Sequence, residues 1–421
     1  MRDRPAAAAE GPVGPTVPVR RVATTVVLLG IVSMLTDVSS EMVAAVLPLY
    51  LTAELGLGYV AYGFVDGAYQ GVSALVRMLG GYASDRTGAA KWIAVVGYGV
   101  SAVSRLAMLP AQAFLAITAV VTADRLGKGL RTAPRDAMIA AASRPETLGR
   151  SFGVHRALDT LGAALGPLVA FGLLAAVPGS YDSVFVVSFA VAAVGVAVLV
   201  LFVPARRALP AARLRARGIM KELTSRRLRR PVVACALLGL VTVGDGFLYL
   251  SLQQRTDLDA SLFPLLYVGT NAVYLLLAVP MGRLADRVGR GRVLIGGHVA
   301  LLSVYLVAGG PVHTWTAVVV SLALLGTFYA ATDGVLPAMV SPLVAPEARA
   351  SGIAAAQTVV VVARFASSVA FGALWAAAGP GVGLVVFAVL LGAALPAAAW
   401  LLAGRGSGGT LDETRPAEVT A

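Results

Sequence analysis

Charge is what this sequence has least of. Asp, Glu, Lys and Arg make up 13% of its 421 residues, about half of the roughly 25% that a soluble domain carries. That shortage excludes the two or three ordinary soluble domains that the length alone would suggest. Cysteine occurs once, as Cys235, so no disulfide can form within the chain. With three histidines besides, no Cys/His spacing suggests a metal site, and none is expected. The phosphate-binding pattern G-x-x-x-x-G-K-[ST] is absent and no nucleophile–base arrangement stands out, so the chain is not expected to be an enzyme. Nor is there the ten-residue alternation of a membrane β-barrel.

Apolar sequence is what the chain has in abundance. Hydrophobic residues reach 58% and the mean hydropathy is +0.81. Long apolar stretches recur, each near the roughly 20 residues that a bilayer-spanning helix requires. Twelve are expected, at 23–51, 59–83, 92–111, 113–135, 150–176, 183–204, 231–254, 261–282, 293–311, 314–340, 350–377 and 380–403. The first is interrupted by the polar run Thr36-Asp37-Val38-Ser39-Ser40-Glu41. The expectation is an all-α membrane protein.

The formal net charge of +12, from 34 Lys and Arg against 22 Asp and Glu, invites a nucleic-acid reading until the charges are placed. The loops at 52–58, 109–113, 177–182, 255–260, 310–314 and 377–381 hold a single basic residue, Arg255. The alternate loops and both tails hold the rest, apart from Arg77, Arg105, Arg125, Lys128, Arg131, Arg156 and Arg364 inside the spans. By the positive-inside rule both termini are cytoplasmic, which demands an even number of crossings. The basic balance therefore labels a topology, and no nucleic-acid partner is expected. Residues 206–230, with ten basic residues against Glu222, read as a linker lying on anionic headgroups. Arg20-Arg21 resembles a twin-arginine signal, but the apolar run behind it is too long and too polar at its centre.

That linker divides the chain into halves, and an internal repeat supports the division. The segment Gly81-Tyr82-Ala83-Ser84-Asp85-Arg86-Thr87-Gly88, followed by Lys91, recurs 201 residues later as Gly282-Arg283-Leu284-Ala285-Asp286-Arg287-Val288-Gly289, followed by Arg292. Asp37 and Asp245 also fall at similar depths in the first helix of each half. The expected organisation is a tail at 1–22, a six-helix bundle at 23–204, the basic linker at 205–230, a second bundle at 231–404 and a tail at 405–421. Two matched bundles are the layout of a secondary transporter with its substrate path between them.

The repeated G-x-x-x-D-R-x-G segment resembles motif A of the major facilitator superfamily, and the likeness extends over about residues 20–404. Ala89 and Ala90 stand where basic residues are usual in that motif. The resemblance implies a gate latch on the cytoplasmic side, formed by Gly81, Asp85, Arg86, Gly88, Gly282, Asp286, Arg287 and Gly289. Gly81 and Gly282 would allow close helix packing. Gly153, Gly162 and Gly166-Pro167 resemble motif C, which in the family goes with drug/proton antiporters, although Ala170-Phe171 replaces its closing glycine pair. Arg125-Leu126-Gly127-Lys128-Gly129 is similar to motif B, with Lys128 in place of the usual Gln, and the likeness implies proton coupling through Arg125.

Ionisable residues within the spans are costly, at about 2.5–3.5 kcal/mol each on insertion scales, so they must face one another or a wet cavity. Their spacing agrees. Asp66, Gln70, Ser73 and Arg77 form one helical stripe, and Asp124, Lys128, Arg131 and Arg135 form another; Asp37 with Glu41, and His155 with Asp159, are i, i+4 pairs. Most lie in the first half, which is therefore expected to couple ions while the second supplies a more apolar substrate wall. A desolvated carboxyl holds its proton and an approaching cation releases it. Asp37 is the first choice of carrier, then Glu41, Asp66, Asp124 and Asp159, with Arg125 as modulator. A static salt-bridge network is the competing reading. Tyr69, Gln70, Tyr249, Asn271, Tyr274 and Gln357 are candidate substrate contacts. The expected function is proton-coupled efflux of a small organic molecule by a monomer in the plasma membrane of a bacterium, driven by the proton gradient with no cofactor and with lipids, protons and substrate as partners. Import of a metabolite or metal complex, or a non-pumping flippase or sensor, are the alternatives.

Overall fold

Backbone groups that leave water must be satisfied within the segment, which makes long apolar runs helical. The computed structural model describes residues 22–144, 147–205, 226–310, 314–344 and 349–403. The tails and linker residues 206–225 lie outside the described residues. The first half consists of α1 (Thr24–Leu49), α2 (Tyr59–Thr87), α3 (Ala90–Ala107), α4 (Phe114–Ala142), α5 (Leu148–Ala176) and α6 (Tyr181–Phe202). The second consists of α7 (Arg226–Gly239), α8 (Asp245–Thr256), α9 (Pro264–Val288), α10 (Arg290–Gly309), α11 (Trp315–Thr332), the short α12 (Val335–Val340) and α13 (Arg349–Ala403). There is no strand among the described residues.

Seven helical stretches are long and apolar enough to cross a membrane by length and composition: Thr24–Glu54, Leu148–Ala176, Tyr181–Phe202, Ala260–Val288, Arg290–Gly309, Trp315–Leu343 and Ala356–Ala403. This is fewer than the twelve runs read from the sequence, for identifiable reasons. Helices α2, α3 and α4 carry many of the in-span charges. The run at 231–254 is broken between α7 and α8, whereas the break at Asp333-Gly334 leaves Trp315–Leu343 counted as one stretch. The last stretch joins two expected runs. It departs from helical geometry at Gly379, where φ is 82°, a conformation that L side chains avoid. The Phe371 and Phe387 rings on either side of this break lie 5.0 Å apart. A straight helix would separate them by about 24 Å, so the two limbs of α13 lie side by side.

The packing repeats between halves. In the first, α4 packs on α2 and α3, and α3 on α6; in the second, α11 packs on α9 and α10, and α10 on α13. The polar run of α1 does not interrupt that helix. Thr36, Ser39 and Ser40 are buried, with the Thr36 hydroxyl donating to the Val32 carbonyl at 2.7 Å and Ser39 bonded to Ser188 of α6 at 2.8 Å. Its polarity is thus turned toward neighbouring helices.

The halves meet chiefly through α2 on α13 and α5 on α9. The α2 side of the first contact is its N-terminal portion. Tyr59 stacks on Trp375 with ring centroids 4.7 Å apart, Tyr62 meets Phe247 edge-on at 4.7 Å, and Phe64 meets Phe365 at 5.3 Å. Gln254 of α8 donates to the Tyr59 hydroxyl at 2.9 Å. These contacts close the end of the molecule opposite the repeated basic segments.

Candidate functional site

A cavity of about 360 Å³ lies between the halves below that closed end. From the first half it is lined by Glu41 and Pro48 of α1, Tyr62, Asp66, Tyr69 and Gln70 of α2, and Arg125 and Lys128 of α4. From the second come Asp245 of α8, Tyr267, Asn271 and Tyr274 of α9, Tyr329 of α11, Asp333 at the α11–α12 break and Arg364 of α13. The helical stripes explain the arrangement: Asp66, Tyr69 and Gln70 share one face of α2, and Arg125 and Lys128 are neighbours one turn apart on α4.

The wall supplied by the second half is not the apolar one expected. Asp245 of α8, Asp333 at the α11–α12 break and Arg364 of α13 all face the gap. Asp245 accepts a hydrogen bond from Tyr329, and Tyr274 donates to Asp333 at 3.3 Å. Asp66 links the halves: its carboxylate accepts from Ser368 of α13 at 2.7 Å and from Gln70 at 3.1 Å.

Of the residues singled out from sequence, the structure brings Glu41, Asp66, Arg125, Tyr69, Gln70, Asn271 and Tyr274 together around this cavity. Tyr249 is buried, donating to Thr270 at 2.8 Å. Neither Tyr249 nor Gln357 lines the cavity. Tyr62, Tyr267, Tyr329 and Ser368 were not anticipated, because a tyrosine or serine in an apolar run carries no signal of the partner it will face. Asp245, Asp333 and Arg364 did carry one, as ionisable groups inside spans.

Two charged clusters lie beside the cavity in the first half, and they differ in how closely their members engage. In the first, Asp124 is buried between Arg105 of α3 and Arg125. Arg125 donates through Nε at 2.8 Å, and Arg105 also donates to Ser40 of α1 at 2.9 Å. The Arg125 guanidinium lies 3.6 Å from the centre of the Tyr69 ring. Charge-assisted bonds of this kind fix three helices together and hold Arg125 at the cavity wall.

In the second cluster, nearer the basic loops, Asp37 of α1 faces Arg131 at 3.8 Å. Asp159 of α5 faces Arg135 at 3.8 Å, Arg156 at 3.8 Å and His155 at 4.0 Å. None of these ion-pair separations is a hydrogen bond. Neither Asp37 nor Asp159 lines the cavity.

The repeated segments end their helices as turns. Gly88 and Gly289 have φ of 64° and 99°, which glycine adopts without strain. Arg86 reaches the Tyr82 hydroxyl at 3.4 Å, and Asp286 faces Arg290 at 3.7 Å, all on the surface. Arg287 is exposed, and the Asp85 side chain lies outside the description. Gly81 packs on Ala133 of α4, whereas a Cβ added at Gly282 would meet nothing within 4 Å; the close packing expected of Gly282 is not seen here. On α5, Gly162 and Gly166 are pressed against the α1 backbone at Met34, Val38 and Met42, while Gly153 faces open space. Pro167 is buried within the same helix.

Comparison with known proteins places these features in a family. The family model described as Major Facilitator Superfamily matches residues 29–270 and 246–419. An uncharacterised MFS-type transporter of Methanocaldococcus jannaschii is 30% identical over 363 residues, covering 85% of this chain and 89% of its own. An uncharacterised protein of Mycobacterium tuberculosis is 27% identical over 335 residues, covering 77% and 80% respectively. Among solved structures, the nucleoside transporter NupG superposes with a TM-score of 0.76 at 15% identity, over 90% of this chain and 99% of its own. A POT family transporter in complex with 5-aminolevulinic acid does so with a TM-score of 0.75 at 12% identity, over 90% and 96%. At such identities the solved structures speak for the fold alone.

Proposed function

The chain belongs to the Major Facilitator Superfamily, and from that premise we propose that it is a proton-coupled exporter of a small organic molecule, working by alternating access. A multi-pass membrane transporter of this superfamily needs a site reachable from one side at a time. The observation that carries the proposal is the cavity between the halves, shut at one end and lined by carboxylates and cations from both. Its volume of about 360 Å³ falls in the range of small-molecule sites.

In this reading the chain crosses the bacterial inner membrane twelve times, with both termini in the cytoplasm. The domain bounds are those of the repeat, 23–204 and 231–404. The basic loops then lie inside, so the cavity faces the cytoplasm and the aromatic contacts of α2 with α8 and α13 form the outer gate. Tyr69, Gln70, Asn271 and Tyr274 orient the substrate. Asp124 holds Arg125 in place, while Asp66 gives up its bond from Ser368 as the gate opens and Glu41 stands as the other carboxylate of the first half on the cavity wall. When the cytoplasmic side shuts, Asp286, Arg287, Asp85 and Arg86 form the latch. The motif C likeness on α5 supports export over import, and the protein acts as a monomer on the proton gradient without a cofactor.

The test is transport in vesicles of both orientations, with compounds chosen from the susceptibility and metabolite-release profiles of cells lacking the protein. Everted vesicles energised to an acid interior are expected to accumulate a compound and lose it when a protonophore is added. Accumulation confined to right-side-out vesicles overturns export; accumulation that ignores the protonophore overturns proton coupling.

A further inference from the structure

The two ends of the cavity between the halves are finished differently. At the shut end, Tyr62 and Asp66, one turn apart on α2, clasp the start of α8: the Tyr62 hydroxyl lies against Gly246 and the Asp66 carboxylate against Gly244. Asp66 is thereby set beside the residue that precedes Asp245, so this end carries one carboxylate from each half. Each is held by a single oxygen. Ser368 and Gln70 both donate to Oδ2 of Asp66, and Tyr329 donates to Oδ1 of Asp245. The other oxygen of each carries no hydrogen bond among the described residues, and both residues line the cavity. Arg364, one turn before Ser368 on α13, lines it too but pairs with neither acid, and its Nε has no partner among the described residues. One negative charge remains in excess at this end.

The opposite charge gathers farther from the seal. Gly129 of α4 is pressed against α2 at Ser73 and Val76, which places Lys128 level with Ser73, about 10 Å along the helix from Asp66. Helical side chains tilt toward their own N-terminus. Since α4 begins beside the seal, where Phe114 meets Phe64 at 5.9 Å, the Lys128 stem leans back up the cavity. Lys128 makes no hydrogen bond or ion pair among the described residues. Arg125, one turn nearer the seal, lies on the Tyr69 ring and shares Asp124 with Arg105, so two guanidiniums face one carboxylate. Glu41 of α1 lines the same cavity and pairs with neither cation. Even set against Lys128, it leaves one positive charge over.

Between the two ends the lining is aromatic and neutral. It comprises Tyr69, Tyr267 and Tyr274 with the amide of Asn271, which has no partner among the described residues. Asp333 lies outside this balance, exposed at the α11–α12 break and engaged by Tyr274. Charges withdrawn from bulk water are costly unless paired, so a cavity built this way is completed by a ligand that brings both missing charges. A simple cation satisfies the shut end and leaves Lys128 bare; a simple anion does the reverse. Tyrosine faces add attraction for a cation on its way between.

We propose that the transported molecule is amphoteric, with an amine seated at Asp66 and Asp245 by the seal and a carboxylate or other acidic group on Lys128 and Arg125. The proposal rests on the small-molecule transport reading above and names the class of its substrate. The amine donates to the free oxygens of the two aspartates, and the acidic group accepts from the Lys128 ammonium, both charge-assisted bonds. Because Asp66 and Asp245 belong to different halves, opening of the seal divides the amine site, and the ligand loses one of its two acids.

Thermal unfolding of the purified full chain in detergent tests this without transport. The probes are a length series of ω-aminocarboxylates, with the diamines and dicarboxylates of the same lengths. Aminocarboxylates are expected to raise the unfolding temperature. The matched diamines and dicarboxylates should bind about tenfold more weakly, since each sets one of its charges against its like and loses a charge-assisted bond. Lys128→Glu is expected to turn the preference to diamines. Stabilisation by diamines or dicarboxylates that equals that by aminocarboxylates overturns the proposal. So does the absence of stabilisation by any aminocarboxylate, or a preference that Lys128→Glu leaves unchanged. If that variant fails to fold, the wild-type ranking decides alone. Aminocarboxylates that bind but are not driven by the proton gradient in vesicles would sink proton-coupled export and leave the substrate class standing. Proton-driven export of compounds bearing charge of a single sign, indifferent to Lys128→Glu, would sink the class and leave export standing.

Discussion

Asp124 and Asp37 are both aspartates among arginines, and they are set apart by distance. Asp124 receives charge-assisted hydrogen bonds from Arg105 and Arg125, so removing its charge leaves two buried guanidiniums facing a neutral group. Asp124→Asn is expected to cost about 3–5 kcal/mol, the usual penalty for breaking a buried ion pair from one side. A fall in thermal unfolding temperature in detergent would register it; an unchanged temperature would show that the triad carries no stability. Asp37 stands 3.8 Å from Arg131 and holds no helix in place. Asp37→Asn should leave the protein folded in the membrane and abolish proton-driven transport. Full retained transport would remove Asp37 as the carrier. The sequence singles out both residues, because any ionisable group inside a span is costly. It is silent on which is gripped and which is loose, since Arg105, Ser40 and Arg131 reach these positions only when α1, α3 and α4 pack.

At the scale of elements, α5 shows how one motif acquires two meanings. Its glycines share a pattern in the sequence, yet Gly166 is pressed against the backbone of Val38 and Met42 while Gly153 meets nothing. A methyl group at Gly166 must push α1 away. Gly166→Ala is expected to destabilise the protein by about 1–3 kcal/mol, as overpacking does, whereas Gly153→Ala should be near neutral. Thermal unfolding of the pair checks this, and equal losses would mean that α5 is not seated on α1 as described. The helices themselves were legible from long apolar runs, although α2 and α9 continue past the expected ends at 83 and 282 to Gly88 and Gly289. Breaks inside apolar runs were not. The interruptions at 240–244 and at Asp333-Gly334 fall within stretches whose composition suits a helix throughout, and tertiary contacts decide them.

For the molecule as a whole, the seal between α2 and α13 closes one end of the cavity. The bond from Ser368 to Asp66, at 2.7 Å, crosses between the halves only while this end is shut. Hydrogen bonds to charged groups contribute roughly 1.5–3 kcal/mol, so Ser368→Ala should move the balance toward opening of this end by tenfold or more. Spin labels placed near Tyr59 and Trp375 would report it as a population at longer distance; an unchanged distribution would show that the aromatic contacts hold the seal alone. Gln254→Ala, which removes the bond to the Tyr59 hydroxyl, is expected to act in the same direction and more weakly, since that bond is neutral and exposed.

By itself the sequence determined that this chain is a helical membrane protein built of two related halves. Shortage of charge, apolar run length and a repeated turn are properties of local stretches, and each needs no knowledge of the rest of the chain. It also marked the charges inside spans as the place to look for chemistry. Only the tertiary structure decided how those charges divide: a cavity lined from both halves, a tight triad that holds helices, and looser ion pairs at Asp37 and Asp159 beside it. That division depends on separations of an ångström or so between residues far apart in the chain. Residues such as Asp66 and Ser368, on α2 and α13, have no relation in the sequence until the packing of two bundles makes them neighbours.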